Sequence, residues 1–182
     1  MLQGVSLLAQ LLIAPALTGA VAPSSPFLAR AMAQAAEGAS HLVELGAGTG
    51  SVTRELAQHF PGRALTVVEI QPVLAARLVR RFPRAHVRAQ PAAEVLDRLD
   101  GCDGPTALVS SLPFRSLPDG VRVRTRASVL AFLARHPGSW LVQYTYLPRP
   151  PFEPGPGFVW QRGITVLANL PPAGVWTLRQ RP

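Results

Sequence analysis

The chain has 182 residues, 48% of them hydrophobic, which suits one domain around a single core; a second folded domain is not expected. Cys102 is the only cysteine, excluding an intrachain disulfide or a cysteine-based metal cluster, and His41, His59, His86 and His136 lack metal-ligand spacing; no metal is expected. The net charge of +8 is carried by eighteen basic residues, all arginine, and leaves two readings: an anionic partner surface of phospholipid or nucleic acid, or arginine replacing lysine through coding bias.

The first segment, MLQGVSLLAQLLIA, is apolar, and no charged side chain occurs before Arg30. A cleaved signal would need a basic start, and the small-residue run Ala20-Val21-Ala22 is followed by Pro23, a poor residue after a cleavage point. Pro15 ends the apolar run after fourteen residues, short of the roughly twenty needed to cross a bilayer. Gln3, Ser6 and Gln10 make a narrow polar stripe, so the spacing predicts a helix lying flat on a bilayer interface or on the protein's own core. A second helix is expected from Pro26 to about Ala36, with Ser24 or Ser25 as N-cap and proline in the first turn.

Next comes HLVELGAGTG, His41 to Gly50. Leu42, Val43 and Leu45 read as a strand covered on both faces, and Gly46, Gly48 and Gly50 allow the positive φ and close backbone approach of a nucleotide-binding turn. A helix follows from Ser51, so its first N–H groups face the turn. The dinucleotide fingerprint would require glycine or alanine at position 51, where this chain has serine, and the dehydrogenase reading weakens accordingly. The second strand, 65–70, carries Glu69, placed to accept ribose hydroxyls.

Alternation then continues with a helix over 72–82, a strand over 86–89, a helix over 92–99, a strand over 106–110, a helix over 121–135 and a strand over 139–146. Pro148 to Gly157 reads as a proline and glycine loop, and strands over 158–167 and 175–180 close the chain as an antiparallel pair. The predicted fold class is α/β: a mostly parallel sheet of seven strands with helices on both faces. Ligands in such sheets sit beyond the carboxyl ends of the strands, near the switch in strand order. That rule collects the Gly46 to Gly50 turn, Glu69, the Gln90 region, Ser110 to Phe114 and Tyr144 to Tyr146 into one expected cleft.

The pattern E-x-G-x-G-x-G, from Glu44 to Gly50, is similar to motif I of the class I S-adenosylmethionine-dependent methyltransferases. Together with TGAVAPSSPFLARAMA at 18–33, VVEIQP at 67–72, SSLPF at 110–114, VQYTY at 142–146 and NLPPAGVW at 169–176, it makes the chain resemble the bacterial phospholipid N-methyltransferases of the Rhodobacter type, relatives of the rRNA adenine dimethylases. The resemblance implies a single Rossmann-like methyltransferase domain over 1–182. Residues 1–36 would form an N-terminal helical segment that contacts membrane or covers the cleft, and 37–182 the cofactor-binding core.

S-adenosylmethionine is the implied cofactor, with Glu44, Gly46, Gly48, Gly50, Glu69, Gln90 and Ser110 as its contacts. Ser111, Leu112, Pro113, Phe114, Tyr144 and Tyr146 would form the acceptor site, with Tyr144, Tyr146 and Ser110 as catalytic candidates. The implied reaction is N-methylation of phosphatidylethanolamine or its partly methylated forms, by a cytoplasmic protein peripheral to the inner face of a bacterial membrane. The alternatives are an RNA adenine methyltransferase, or a non-catalytic protein of the same fold. This chain has Gln90-Pro91-Ala92 where the family commonly shows Gly-Asp-Ala, and Ser111 where the phospholipid enzymes usually place glycine.

Methyl transfer needs alignment more than a dedicated nucleophile. An amine must lose its proton, with Tyr144, Tyr146 or water as base, and the π faces of Tyr144, Tyr146 and Trp140 are candidates to hold the growing cation, unless these aromatics fill the core. Arg77, Arg80, Arg81 and Arg84 share one helix face, and Arg122, Arg124 and Arg126 form a second cluster, either solvated or turned to anionic lipid.

Overall fold

The computed structural model describes residues 24–100 and 103–182. The expected N-terminal helix over 1–14 and Cys102 lie outside the described residues.

Among the described residues, seven strands form one sheet. The elements run α1 (Pro26–Gln34), β1 (His41–Leu45), α2 (Ser51–His59), β2 (Ala64–Val68), α3 (Pro72–Arg81), β3 (His86–Arg88), α4 (Ala92–Arg98), β4 (Thr106–Ser110), α5 (Asp119–Arg135), β5 (Trp140–Thr145), β6 (Phe158–Val166) and β7 (Ala173–Gln180). The strand order is β3-β2-β1-β4-β5-β7-β6; the first five are parallel, and β7 runs antiparallel to both β5 and β6. The chain builds outward from β1 to β3 and then crosses to β4 on the other side of β1. That reversal opens a crevice at the carboxyl ends of β1 and β4.

Side chains of opposite parity on each strand feed two cores. Leu42, Val67, Val109 and Val142 meet α1 and α2 on one face, where Leu28, Met32, Val52 and Leu56 are fully or almost fully buried. Val43, Leu45, Leu108 and Leu141 meet α4 and α5 on the other, against Leu96, Val129, Phe132 and Leu133. Burial on both faces is why β1, β4 and β5 read as continuous apolar runs rather than alternating ones.

Helix α1 starts as its sequence requires. The Ser25 hydroxyl accepts the Leu28 N–H at 3.2 Å, with Pro26 in the first turn, where its missing N–H costs nothing. Trp140 is core: it is buried, its indole N–H donates to the Ala35 carbonyl at 2.9 Å, and Arg179 stacks over its ring. Several boundaries differ from the sequence reading, the most consequential being β2, which ends at Val68 and not 70, so that Glu69 lies just beyond the strand. Helix α5 begins at Asp119, where an acidic residue in the first turn suits the helix dipole, and β7 begins at Ala173, extended by pairing with Val166.

Candidate cofactor site

Four strand ends converge on one cleft of about 720 Å³, including the part open to solvent. Gly46 and Gly48 follow β1, Glu69 to Gln71 follow β2, Gln90 to Ala92 follow β3, and Ser111 and Leu112 follow β4; Leu117, Val121 and Thr125 close it from the α5 side.

The three glycines of the turn do three different things, although all have positive φ. A Cβ on Gly46 would lie 2.6 Å from Leu112 Cδ2, so this glycine lets the loop after β4 close over the turn. A Cβ on Gly50 would lie 2.8 Å from Leu78 and 2.9 Å from Phe82, so this one permits α2 and α3 to pack. A Cβ on Gly48 would meet nothing within 4 Å; its side of the backbone faces open space lining the cleft. The turn is pinned to β2, as the Gly46 and Ala47 N–H groups both donate to the Val68 carbonyl, at 2.9 and 3.1 Å.

Glu69 stands one residue past β2, buried, and grips the turn from beside it. Its Oε2 accepts the Gly48 N–H at 2.7 Å and its Oε1 accepts the Gln71 N–H at 2.8 Å. A carboxylate offers about four lone-pair sites, so both oxygens retain accepting capacity toward the cleft. Ile70, Leu74, Pro91, Leu117 and Val121 supply apolar walls beyond it, and Gln90 is the amide among them.

Glu44 lies elsewhere. It is fully buried on the α2 face, where its Oε2 accepts the Thr53 hydroxyl at 2.6 Å and its Oε1 has no partner among the described residues. Burial pushes its carboxyl up to about 7, with a smaller upward push from Glu69 and opposing hydrogen bonds from Thr53. Ser110 is equally buried, its hydroxyl accepting the Leu112 N–H at 3.2 Å, which shapes the loop that covers Gly46.

Of the residues singled out in the sequence, the cleft brings together Gly46, Gly48, Glu69, Gln90, Ser111 and Leu112. Glu44, Gly50, Ser110, Pro113, Phe114, Tyr144 and Tyr146 are not in its lining. Phe114 is buried in the α5-side core against Phe152, with ring centroids 4.8 Å apart. Tyr144 is buried on the α1 side and meets half-buried Tyr146 edge to face at 5.5 Å. The Tyr144 hydroxyl interacts with Ser24 and Tyr146, and that of Tyr146 with Asn169. Asn169 in turn accepts the Ser25 N–H at 3.1 Å and donates to the Pro171 carbonyl at 2.7 Å. The aromatic pair therefore belongs to a second polar cluster, one strand along from the cleft. Gln143 on β5 links the two regions by donating to the Leu112 carbonyl at 3.1 Å.

Sequence reasoning missed Ile70, Leu74, Leu117, Val121 and Thr125 as wall residues. Isolated side chains scattered over loops and the first turns of helices, most of them apolar, carry no signature in the sequence.

No family model matches the sequence, and no curated protein matches it. Solved structures do share its fold. A 23S rRNA methyltransferase, ErmE, is 21% identical over 84% of this chain and 67% of its own, with a TM-score of 0.55. A precorrin-6y C5,15-methyltransferase from Geobacter metallireducens GS-15 is 14% identical over 85% and 87%, with a TM-score of 0.60. Human N-acetylserotonin methyltransferase, solved in complex with S-adenosylmethionine, is 16% identical with a TM-score of 0.59; the match takes in 85% of this chain and about half, 52%, of the human one. The fold is that of the class I S-adenosylmethionine-dependent methyltransferases.

Proposed function

We propose that this protein is an S-adenosylmethionine-dependent N-methyltransferase whose acceptor is the amine of phosphatidylethanolamine or of its partly methylated forms. The observation that carries the cofactor half is the grip of Glu69 on Gly48 at the point where four strand ends open into one cleft. The residues there fit the cofactor. Glu69 would accept from the ribose hydroxyls, Ile70, Leu74, Pro91 and Leu117 would sandwich the adenine, and the space beside Gly48 admits a ligand against bare backbone. Pro91 has no N–H and no side-chain acceptor, which leaves the Gln90 amide to receive the adenine amine.

When bound, the cofactor supplies an electrophilic methyl group and a neutral leaving sulfur, so the chain has to align donor and acceptor and exclude water. Leu112 does part of this by closing over Gly46 at the cleft wall. On the acceptor side, burial pushes the phenols of Tyr144 and Tyr146 up, so both stay protonated at neutral pH. They would offer hydroxyl oxygens and π faces to an ammonium group, not a phenolate base, and the amine's proton would leave to water.

Support for the lipid acceptor comes from the resemblance carried by residues 18–33 and 169–176, and from the excess of arginine over carboxylate. Two measurements test the reading. Calorimetry with S-adenosylmethionine should show binding that Gly48→Arg abolishes. Transfer of labelled methyl groups should reach phosphatidylethanolamine vesicles; label entering RNA and no lipid would overturn the acceptor assignment.

A further inference from the structure

The fold leaves four large apolar side chains standing in solvent around one corner. Leu170 is 87% exposed, Leu167 77%, Ile164 62% and Phe27 60%. Leu167 and Leu170 sit in the connection between β6 and β7, Ile164 lies near the end of β6, and Phe27 is in the first turn of α1. The Ser25–Asn169 hydrogen bond holds that turn against the β6–β7 connection, so the four belong to one corner and not to scattered loops. Single exposed leucines are ordinary; four gathered at a strand connection and a helix start mark a contact surface.

The segments that build this corner carry no carboxylate: 24–36 and 154–182 hold Arg30, Arg162, Arg179 and Arg181 and neither aspartate nor glutamate. One of them, Arg162, lies on β6 beside Ile164, with its guanidinium 5.9 Å from the Trp176 ring. Apolar side chains that can enter a hydrocarbon boundary, on segments with arginine and no carboxylate, match the two attractions an anionic bilayer offers. The uncharged first segment of the sequence also joins the described chain here, at Ser24. The corner adjoins Tyr146 through Asn169, on the acceptor side of the proposed reaction.

We propose that this corner is a docking surface for an anionic phospholipid bilayer, with Leu167 and Leu170 entering the acyl boundary. The proposal rests on the lipid reading above and specifies how the acceptor reaches the enzyme, but its test does not depend on methyl transfer.

The full chain is mixed with vesicles of phosphatidylcholine containing phosphatidylglycerol, and the bound fraction is measured by flotation. Wild type should float with these vesicles and less with phosphatidylcholine alone. Leu167→Glu/Leu170→Glu should lower partitioning about 100-fold, since each leucine kept out of the bilayer is worth roughly ten-fold, while thermal unfolding and S-adenosylmethionine affinity stay unchanged. Hydrogen exchange over 163–171 should slow only when vesicles are added. Partitioning equal to wild type in the double variant, or absence of wild-type binding, overturns the proposal. So does protection of 163–171 without vesicles beyond that of the β6–β7 pairing: if it grows with protein concentration the occupant is a second copy, and if not, residues 1–23. Vesicle binding without methyl transfer would leave this surface standing and remove only the catalytic reading.

Discussion

The Thr53 hydroxyl donates to Glu44 Oε2 at 2.6 Å in a layer with no solvent, directly beneath the turn that opens the cleft. This joins the one acidic residue of β1 to the first turn of α2 and keeps a carboxyl group fully buried. Its second oxygen, without a partner among the described residues, makes ionisation costly.

A pH dependence of stability follows from that cost. The Glu44 carboxyl titrates near 7 in the folded protein, against 4.5 when exposed, chiefly through burial. Between those values the folded state holds more protons than the unfolded one. Stability is therefore fully present below about pH 4.5, falls as pH rises through 7, and levels off above. The whole span is worth about 3 kcal/mol. Glu44→Gln keeps the shape and removes the titration. Denaturant unfolding from pH 5 to 8 should show wild type losing stability relative to Glu44→Gln; parallel curves would refute the assignment.

The glycine turn separates folding from binding. Gly48→Ala forces φ of +56° on a residue with a Cβ, at about 1–2 kcal/mol, but meets no neighbour. The variant should fold and bind S-adenosylmethionine poorly, because the new methyl enters the ligand's space. Gly50→Ala carries the same strain and adds a clash with Leu78 and Phe82, for a further loss of about 1–3 kcal/mol. Comparing melting temperature with calorimetric affinity for the two variants checks this: stability should suffer more at position 50, affinity relative to stability more at 48.

Glu69 works on both sides of the turn, so its removal should cost twice. Glu69→Ala strands the Gly48 and Gln71 N–H groups and removes the proposed ribose acceptor. Hydrogen bonds to a charged group are worth about 1.5–3 kcal/mol, which predicts a loss of S-adenosylmethionine affinity of roughly 10- to 100-fold. Glu69→Gln should restore part of the stability, its amide oxygen accepting one backbone N–H, and little of the affinity. Affinity unchanged in Glu69→Ala would place the cofactor elsewhere.

Much of this was legible in the chain. Strands buried on both faces announce themselves as apolar runs ending at glycine or at a lone carboxylate, so β1, β2 and the cleft residues Gly46, Gly48, Glu69, Gln90, Ser111 and Leu112 could be read in advance. Glu44 and Ser110 could not be placed so well, because parity along a strand says which face a side chain takes and not whether helix or ligand covers that face. Phe114 looked like an acceptor residue for a similar reason: an aromatic beyond a strand end reads the same whether it lines a cleft or fills a core. The division of labour among the three glycines was also hidden, since it depends on Leu112 and on the α2–α3 contact rather than on the glycines themselves.

Tyr144 and Tyr146 set the last prediction. Both phenols are pushed up, by burial first of all, and stay neutral through pH 9, so neither is suited to take a proton from the acceptor amine. If the reading of the acceptor side is right, Tyr146→Phe should raise KM for phosphatidylethanolamine several-fold through loss of one neutral hydrogen bond of about 1 kcal/mol, and leave S-adenosylmethionine affinity intact. The rise of kcat/KM with pH, set by deprotonation of the amine itself, should persist in Tyr146→Phe and in Tyr144→Phe. A phenolate base would behave differently: its removal would lower kcat by orders of magnitude and erase the alkaline limb. Pre-steady-state methyl transfer across pH 6 to 9.5 with the two variants distinguishes these outcomes.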